Sequence, residues 1–215
     1  MNQVELKLQQ AYELSLDLDR MEDYAPEWRE EWGIVDAKVM DEFKDAHKLR
    51  RAFYKPEPIN SVREIRMEGL MYHFEGIDYL YTEPKLPVMS KRMLSVLRSV
   101  RDFPHQAIPV TIEDVEVTFD SLPDSSGRVS TDYVAVQLTE QLDIFDRKKS
   151  DYDVYDDDPD EIEYINKLVL KVPESGLPPI FKIIEDPIVM YVSPEAKTAL
   201  EEAGITGIRF VDINF

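Results

Sequence analysis

Alternation of apolar and polar residues with a period of two is the spacing of a β-strand that buries one face. Near the start, Tyr12, Leu14, Leu16 and Leu18 alternate with acidic or hydroxyl residues, so they predict a half-buried strand with an acidic outer face. Further strand-like runs occupy residues 62–74, 77–81, 107–117, 133–142, 168–172, 180–184 and 208–213. The pattern therefore indicates many short strands.

Four segments have the spacing or the caps of an α-helix. One covers residues 24–32, and the next spans residues 36–51. Another follows Ser90, and its apolar stripe is formed by Met93, Leu94, Leu97 and Val100. The last follows Ser193, a good N-cap residue, with Pro194 at its first position and Gly204 just past its end.

These elements predict an α+β fold of mixed, largely antiparallel sheets with several peripheral helices. A chain of 215 residues suffices for one domain that buries about 70% of its unfolded surface. We expect residues 1–85 to form an N-terminal α+β portion. It would pack on a second α+β portion, residues 86–215, in one compact unit.

The formal net charge of −19 and the pI of about 4.5 narrow the choice of partner. Nucleic acids and anionic membranes are recognised through an excess of Lys and Arg, so we expect neither as a partner. Such a charge favours a basic protein as the partner, although many cytosolic proteins are acidic only for solubility. The distribution of the acids has to distinguish these two cases.

Residue types that carry catalysis are scarce. Cys is absent, and His47, His73 and His105 lie far apart, outside any ligand-spaced or nucleophile motif. We therefore expect neither enzyme activity nor a cofactor. Residues 1–5 lack the features of a signal peptide, and no apolar run reaches the roughly 20 residues of a membrane span, so the sequence predicts a cytoplasmic protein.

The strongest local feature is a run of eight carboxylates in residues 151–163, with no Lys or Arg among them. Holding so many like charges together is unfavourable unless a cation, a basic partner or solvation compensates for them. We interpret the run as a contact surface for a basic protein. Its candidate residues are Asp151, Asp153, Tyr155, Asp156, Asp157, Asp158, Asp160, Glu161 and Glu163.

Calcium and simple solvation are the alternatives for this run. If Asp151 and Asp153 were the first two ligands of an EF-hand loop, Tyr155 would fall at the third. Asp156 would stand where the turn requires Gly, and Ile162 where a bidentate Glu is required. An irregular calcium site or a general acidic interaction module stays open. So does a solvated loop whose acids pair with neighbouring cations, namely Arg147, Lys148 and Lys149.

The two Trp residues, Trp28 and Trp32, lie close together among glutamates. Their spacing of four places both rings on one face of a helix over residues 24–32. Rigid aromatic side chains among acids are typical of a binding hot spot, whereas a pair packed on its own core is the commoner arrangement. We include Trp28 and Trp32 in the predicted contact surface.

The second portion resembles a known family through seven segments that occur in the same order. They are LPVMS at 86–90, IPVTI at 108–112, YVAV at 133–136, DRKKS at 146–150, PIFK at 179–182, YVS at 191–193 and GITGIRF at 204–210. This order is similar to that of the family numbered eleven among the immunity proteins of bacterial polymorphic toxin systems. Its members are often encoded beside toxins with AHH-type nuclease domains.

The resemblance covers roughly residues 86–215 and implies that the protein inhibits a cognate toxin stoichiometrically. The implied toxin is a nuclease effector, with a type VI secretion system as its delivery route. The family supplies no catalytic residues. A nuclease lines its cleft with Lys and Arg to attract a polyanion, so an acidic inhibitor agrees with the resemblance.

Overall fold

In the computed structural model, residues 10–17, 35–36, 46–69, 74–83, 85–114 and 128–213 are described. They form an α+β fold whose sheets are mixed and mostly antiparallel, which confirms the predicted class. The helices within these ranges are α1 (Ala46–Phe53), α2 (Lys91–Val100) and α3 (Pro194–Glu202). The strands are β1 (Tyr12–Leu16), β2 (Val35–Asp36), β3 (Ile65–Gly69), β4 (Tyr79–Leu80), β5 (Thr82–Glu83), β6 (Val88–Ser90), β7 (His105–Asp114), β8 (Val129–Leu138), β9 (Asp151–Val154), β10 (Ile162–Lys167), β11 (Ile180–Ile183), β12 (Asp186–Val192) and β13 (Ile208–Asp212).

The largest sheet has seven strands in the order β4-β6-β8-β7-β3-β2-β5. Its centre is the long antiparallel ladder between β7 and β8, and β3 joins β7 in parallel. One face buries a core that includes Phe53, Ile65, Ile108 and Ile112. The β-branched residues of these strands suit a buried pleated surface, which explains why they form sheet here.

A four-stranded antiparallel sheet has the order β11-β12-β1-β13, and both of its faces are covered. β1 pairs with β12 on one side and with β13 on the other. One face packs with α2 and α3 in a second core, which contains Leu14 and Val192. The opposite face packs on a third core around Phe145, Phe181 and Ile183, beside which the two-stranded sheet β10-β9 lies.

Helices α2 and α3 begin where their caps predict. Ser90 Oγ accepts a hydrogen bond of 3.0 Å from the Met93 amide, and Ser193 Oγ accepts one of 3.2 Å from the Ala196 amide. These bonds satisfy amides that have no partner within the helix. In the predicted stripe of α2, Met93, Leu94 and Leu97 are buried, and Val100 is half-buried.

Several predicted elements need correction. Residues 36–51 were expected to be one helix, but Asp36 pairs with β3 and α1 starts at Ala46; residues 37–45 lie outside the described ranges. Residues 168–172 form no strand, since only Leu170 makes an isolated bridge, to Phe145. β12 was not expected. Of the predicted 62–74 and 107–117 runs, residues 70–73 and 115–117 are not among those described.

Lys182 links β11 of the four-stranded sheet to the end of α1 through a buried cation. It is 4% exposed, and its Nζ donates a hydrogen bond of 2.9 Å to the Phe53 carbonyl at the end of α1. The same nitrogen lies 5.3 Å from the centre of the Tyr54 ring. Burial disfavours the charged form and lowers the pKa of Lys182 to about 8, although attraction to Asp186 opposes this change.

We predict that stability rises with pH above the lowered pKa of Lys182. Between pH 8 and the ordinary value of 10.5, the unfolded chain binds this proton more tightly than the folded protein does. The free energy of unfolding should therefore gain about 1 kcal/mol per pH unit from this residue. Lys182→Met lacks that gain, so urea denaturation at several pH values should give the wild type a steeper profile. Parallel profiles would contradict the assignment.

Candidate functional site

The whole acidic run lies on a β-hairpin, here called the acidic hairpin, which comprises β9, the connection 155–161 and β10. A solvated loop is one alternative for this run, but the two ends of the run pair as antiparallel strands. Register shifts interrupt the ladder on either side of Tyr164 and Ile165. Such bulges let neighbouring residues face the same way, and both Glu163 and Tyr164 are exposed.

The hairpin is held by its apolar face. Tyr152, Ile162 and Ile165 pack against the third core, and the Tyr152 ring meets Phe145 edge-to-face with 5.4 Å between centroids. In β9, Asp151 and Asp153 are exposed and alternate with the half-buried Tyr152 and Val154. Anchoring on one face therefore fixes where the carboxylates of the other face are displayed.

All eight carboxylates of the acidic hairpin are exposed, and no ion pair between described residues includes them. The nearby cations form no ion pair with these acids among the described residues. Lys149 lies 3.7 Å from Asp146, and Arg147 donates to the Asp160 backbone carbonyl while its guanidinium stands 5.9 Å from the Tyr152 ring centre. No ion pair between described residues supports the alternative in which these cations pair with the carboxylates of the run, although Arg147 lies against the hairpin.

A groove of about 770 Å³ separates the acidic hairpin from the four-stranded sheet, and we call it the acidic groove. The hairpin wall carries Asp160, Glu161 and Glu163. The sheet wall carries four further acids, Glu13, Glu185, Asp186 and Asp212, whereas Arg147 is the one cation among the described residues that line it. The groove therefore extends the acidic surface from the hairpin onto the sheet.

The acidic groove also carries most of the exposed large apolar side chains in the described ranges. Tyr155, Tyr164, Ile184 and Ile188 are 40%, 64%, 53% and 59% exposed, and all four line it. Val129 and Val172 are the other two described residues of this kind. Grouped apolar side chains rimmed by charge are typical of a protein interaction surface, whereas scattered ones are not.

The sheet wall holds its acids close together. Burial raises the pKa of Glu13, repulsion from Asp186 raises it further, and attraction to Arg209 partly opposes both. Asp186 accepts a 3.0 Å hydrogen bond from Tyr191 Oη. Glu185 Oε2 is enclosed but accepts no hydrogen bond from any described residue. An enclosed carboxylate oxygen without a donor is unfavourable, so a donor supplied by a ligand would stabilise it.

The predicted contact residues thus have different outcomes. Asp151, Asp153, Tyr155 and the acids of 156–163 lie together on the acidic hairpin, whereas Trp28 and Trp32 fall outside the described ranges. The sheet wall was not predicted. Its acids come from three distant parts of the sequence, and the pairing of β1 with β12 and β13 brings them together. In the sequence, the only local indication of this wall is that Ile184 and Ile188 flank the acids Glu185 and Asp186.

Among the described residues, no three acidic or imidazole side chains converge as ligands for a metal ion. None of the helices in the described ranges is long and apolar enough to cross a membrane. His105 Nδ1 lies 2.8 Å from the Phe103 carbonyl oxygen, and the two rings are tilted against each other with 4.5 Å between their centroids. These contacts give His105 a role in packing.

Comparison with known proteins adds no identity. No family model matches the chain, and no curated protein matches it at a significant level. The resemblance of the second portion to an immunity family therefore stays a prediction. A proposal for the function therefore depends on the acidic hairpin and the acidic groove.

Proposed function

We propose that the protein is an immunity protein that binds and neutralises a cognate antibacterial toxin, a nuclease effector, through its acidic surface. The observation that carries the proposal is the acidic hairpin. Its apolar face is anchored on the third core, and its eight carboxylates are exposed and form no ion pair with any described cation. Their mutual repulsion weakens the free protein and is relieved when a basic surface covers them.

The order of segments that resembles the immunity family supports the same class of partner. A nuclease attracts a polyanion with a basic cleft, and an inhibitor with a net charge of −19 presents the complementary charge. Inhibition by occupancy needs no catalytic residue, cofactor or nucleic-acid contact. A protein with this role would act in the cytoplasm, where the toxin meets its substrate.

The experiment starts from the neighbouring gene. If it encodes a toxin-like protein, the two purified proteins should form a complex, and nuclease activity should fall to zero at one molar equivalent of the inhibitor. Activity that persists in excess inhibitor would reject the proposal. Calorimetry with calcium on the isolated protein tests the alternative of a calcium module, which requires a specific heat of binding.

We predict that neutralising the hairpin slows association with the toxin. The variant Asp156→Asn, Asp157→Asn, Asp158→Asn, Asp160→Asn should reduce the association rate about tenfold at low salt, because steering depends on local charge. Its rate should also depend less on salt concentration. Stopped-flow fluorescence or surface plasmon resonance over a salt series measures both effects.

The matched control loses four charges elsewhere on the surface. Glu57→Gln, Asp102→Asn, Glu140→Gln and Glu202→Gln replace exposed acids that line neither the acidic hairpin nor the acidic groove. The net charge changes equally in both variants, so only position differs. Equal slowing in the two variants would assign the effect to net charge and remove the hairpin from the interface.

A further inference from the structure

We infer that the acidic groove is the seat of a short basic segment of the partner protein, one that carries aliphatic side chains beside its Lys or Arg residues. The inference rests on the proposed function and deepens it, because it names the part of the toxin that is held. It also separates two roles, since the tip of the hairpin steers the partner whereas the groove retains it.

The groove differs from the hairpin tip in shape and in chemistry. Asp156, Asp157 and Asp158 are exposed at the tip and do not line the groove. An exposed carboxylate contributes to long-range attraction and contributes little to affinity once salt and water screen it. A concave surface excludes water from a bound segment, so contacts inside it oppose dissociation.

The apolar part of the groove requires more than charge from its occupant. Ile184 and Ile188 stand on the sheet wall, and Tyr164 stands on the hairpin wall. Each is more than half exposed. Aliphatic side chains of a bound segment would remove these three residues from water, which favours binding in proportion to the apolar surface covered. Lysine alone does not supply that contact.

The polar part of the groove requires hydrogen-bond donors. Glu185 Oε2 is enclosed and accepts no bond from a described residue, and burial and repulsion from Asp186 raise the pKa of Glu13. Ammonium and guanidinium groups have donors only, so they suit both carboxylates. A second copy of this chain fits less well, because its charge of −19 opposes an acidic groove.

The test uses fluorescence anisotropy with two short labelled peptides as probes. In the first, Lys alternates with Leu, and in the second, Ser replaces every Leu. The protein should bind the Lys-Leu peptide about tenfold more tightly than the Lys-Ser peptide. Equal affinity for the two peptides would overturn the inference, because the surface would then recognise charge alone.

Two variants locate the binding. Ile184→Ser with Ile188→Ser changes exposed residues, so the fold should persist, and it should abolish the preference for the Lys-Leu peptide. The tip variant Asp156→Asn, Asp157→Asn, Asp158→Asn should weaken binding of both peptides alike and keep the preference. A preference that survives in the Ile184 and Ile188 variant would overturn the assignment to the groove.

Two further measurements separate this inference from the proposed function and from self-association. If the Ile184 and Ile188 variant neutralises the toxin with unchanged affinity, the groove inference fails and the function stands. If the Lys-Leu peptide binds as expected but no toxin is neutralised, the function fails and the groove stands. A wild-type dimer in sedimentation that this variant abolishes would instead identify a second copy as the occupant and overturn the inference.

Discussion

Replacing Gly207 by Ala should destabilise the protein by about 4 kcal/mol, the largest effect that we expect from a single methyl group. Gly207 precedes β13 and has a φ of +79°, a conformation that L-residues with a side chain rarely adopt. A Cβ there would lie 2.5 Å from the Tyr79 carbonyl oxygen and 2.6 Å from Ile77 Cγ2. The Tyr79 backbone cannot move aside easily, because it belongs to the seven-stranded sheet.

Gly76 provides the matched control for this substitution. Its φ of +86° imposes the same conformational penalty, but a Cβ there would have no described neighbour within 4 Å. Gly76→Ala should therefore cost about 1 kcal/mol. Urea denaturation followed by circular dichroism compares the two variants. Equal losses would show that backbone conformation, and not the close approach of β13 to Tyr79, sets the cost.

Local signals predicted where α2 and α3 begin but not where α1 begins, while long-range pairing fixed the arrangement of the strands. Ser90 and Ser193 start their helices where the sequence places them, because a cap depends on amides only a few residues away. The alternation around Tyr12 likewise identified β1. It could not reveal that Tyr12 pairs with both Val192 and Asp212, which places β1 in the middle of a sheet.

The central position of β1 changes the role of its acidic residue. An acidic outer face was expected, but Glu13 lies half-buried in the wall of the acidic groove. A period of two shows that a strand has two chemically different faces, and it does not show what covers each face. The groove therefore could not be predicted, since its walls come from strands that are far apart in sequence.

The acidic hairpin and β12 were missed for the same reason, since local residue propensities argue against a strand in both segments. Asp is rare in strands, so the acids of 151–163 concealed the inward-facing Tyr152 and Val154. Pro187 interrupts the start of β12, and proline argues against an interior strand. In both segments tertiary packing outweighs the propensity of individual residues. The predicted strand at 168–172 failed in the other direction, since its apolar residues fill the third core without a ladder.

Asp78→Ala is the second substitution with a large expected effect, about 3 kcal/mol of lost stability. Asp78 is 4% exposed and joins the seven-stranded sheet to the loop between α3 and β13. Its Oδ1 accepts bonds from Ser90 Oγ at 2.5 Å and from Arg92 Nε at 3.1 Å. Its Oδ2 accepts bonds from Arg92 Nη2 at 2.5 Å and from the Thr206 amide at 3.1 Å. Alanine would remove the acceptor of Ser90 Oγ, Arg92 Nε and the Thr206 amide, whereas Arg92 Nη2 would keep its 3.0 Å bond to the Gly204 carbonyl.

The pH dependence of this loss distinguishes a charged acceptor from a merely well-packed side chain. Burial alone would raise the pKa of Asp78, but hydrogen bonds from Arg92, Ser90 and Thr206, with the charge of Arg92, outweigh it and lower the pKa below 3.8. A lowered pKa stabilises the fold above the unfolded value, and this contribution is lost as pH falls through the folded value. The difference in unfolding free energy between wild type and Asp78→Asn should therefore be large at pH 7 and shrink towards pH 2.

Asp102→Asn, which removes an exposed partner 3.8 Å from Arg98, should change stability by less than about 0.5 kcal/mol at either pH. A constant difference for Asp78→Asn across this range would mean that shape, and not charge, makes Asp78 the junction between the two sheets.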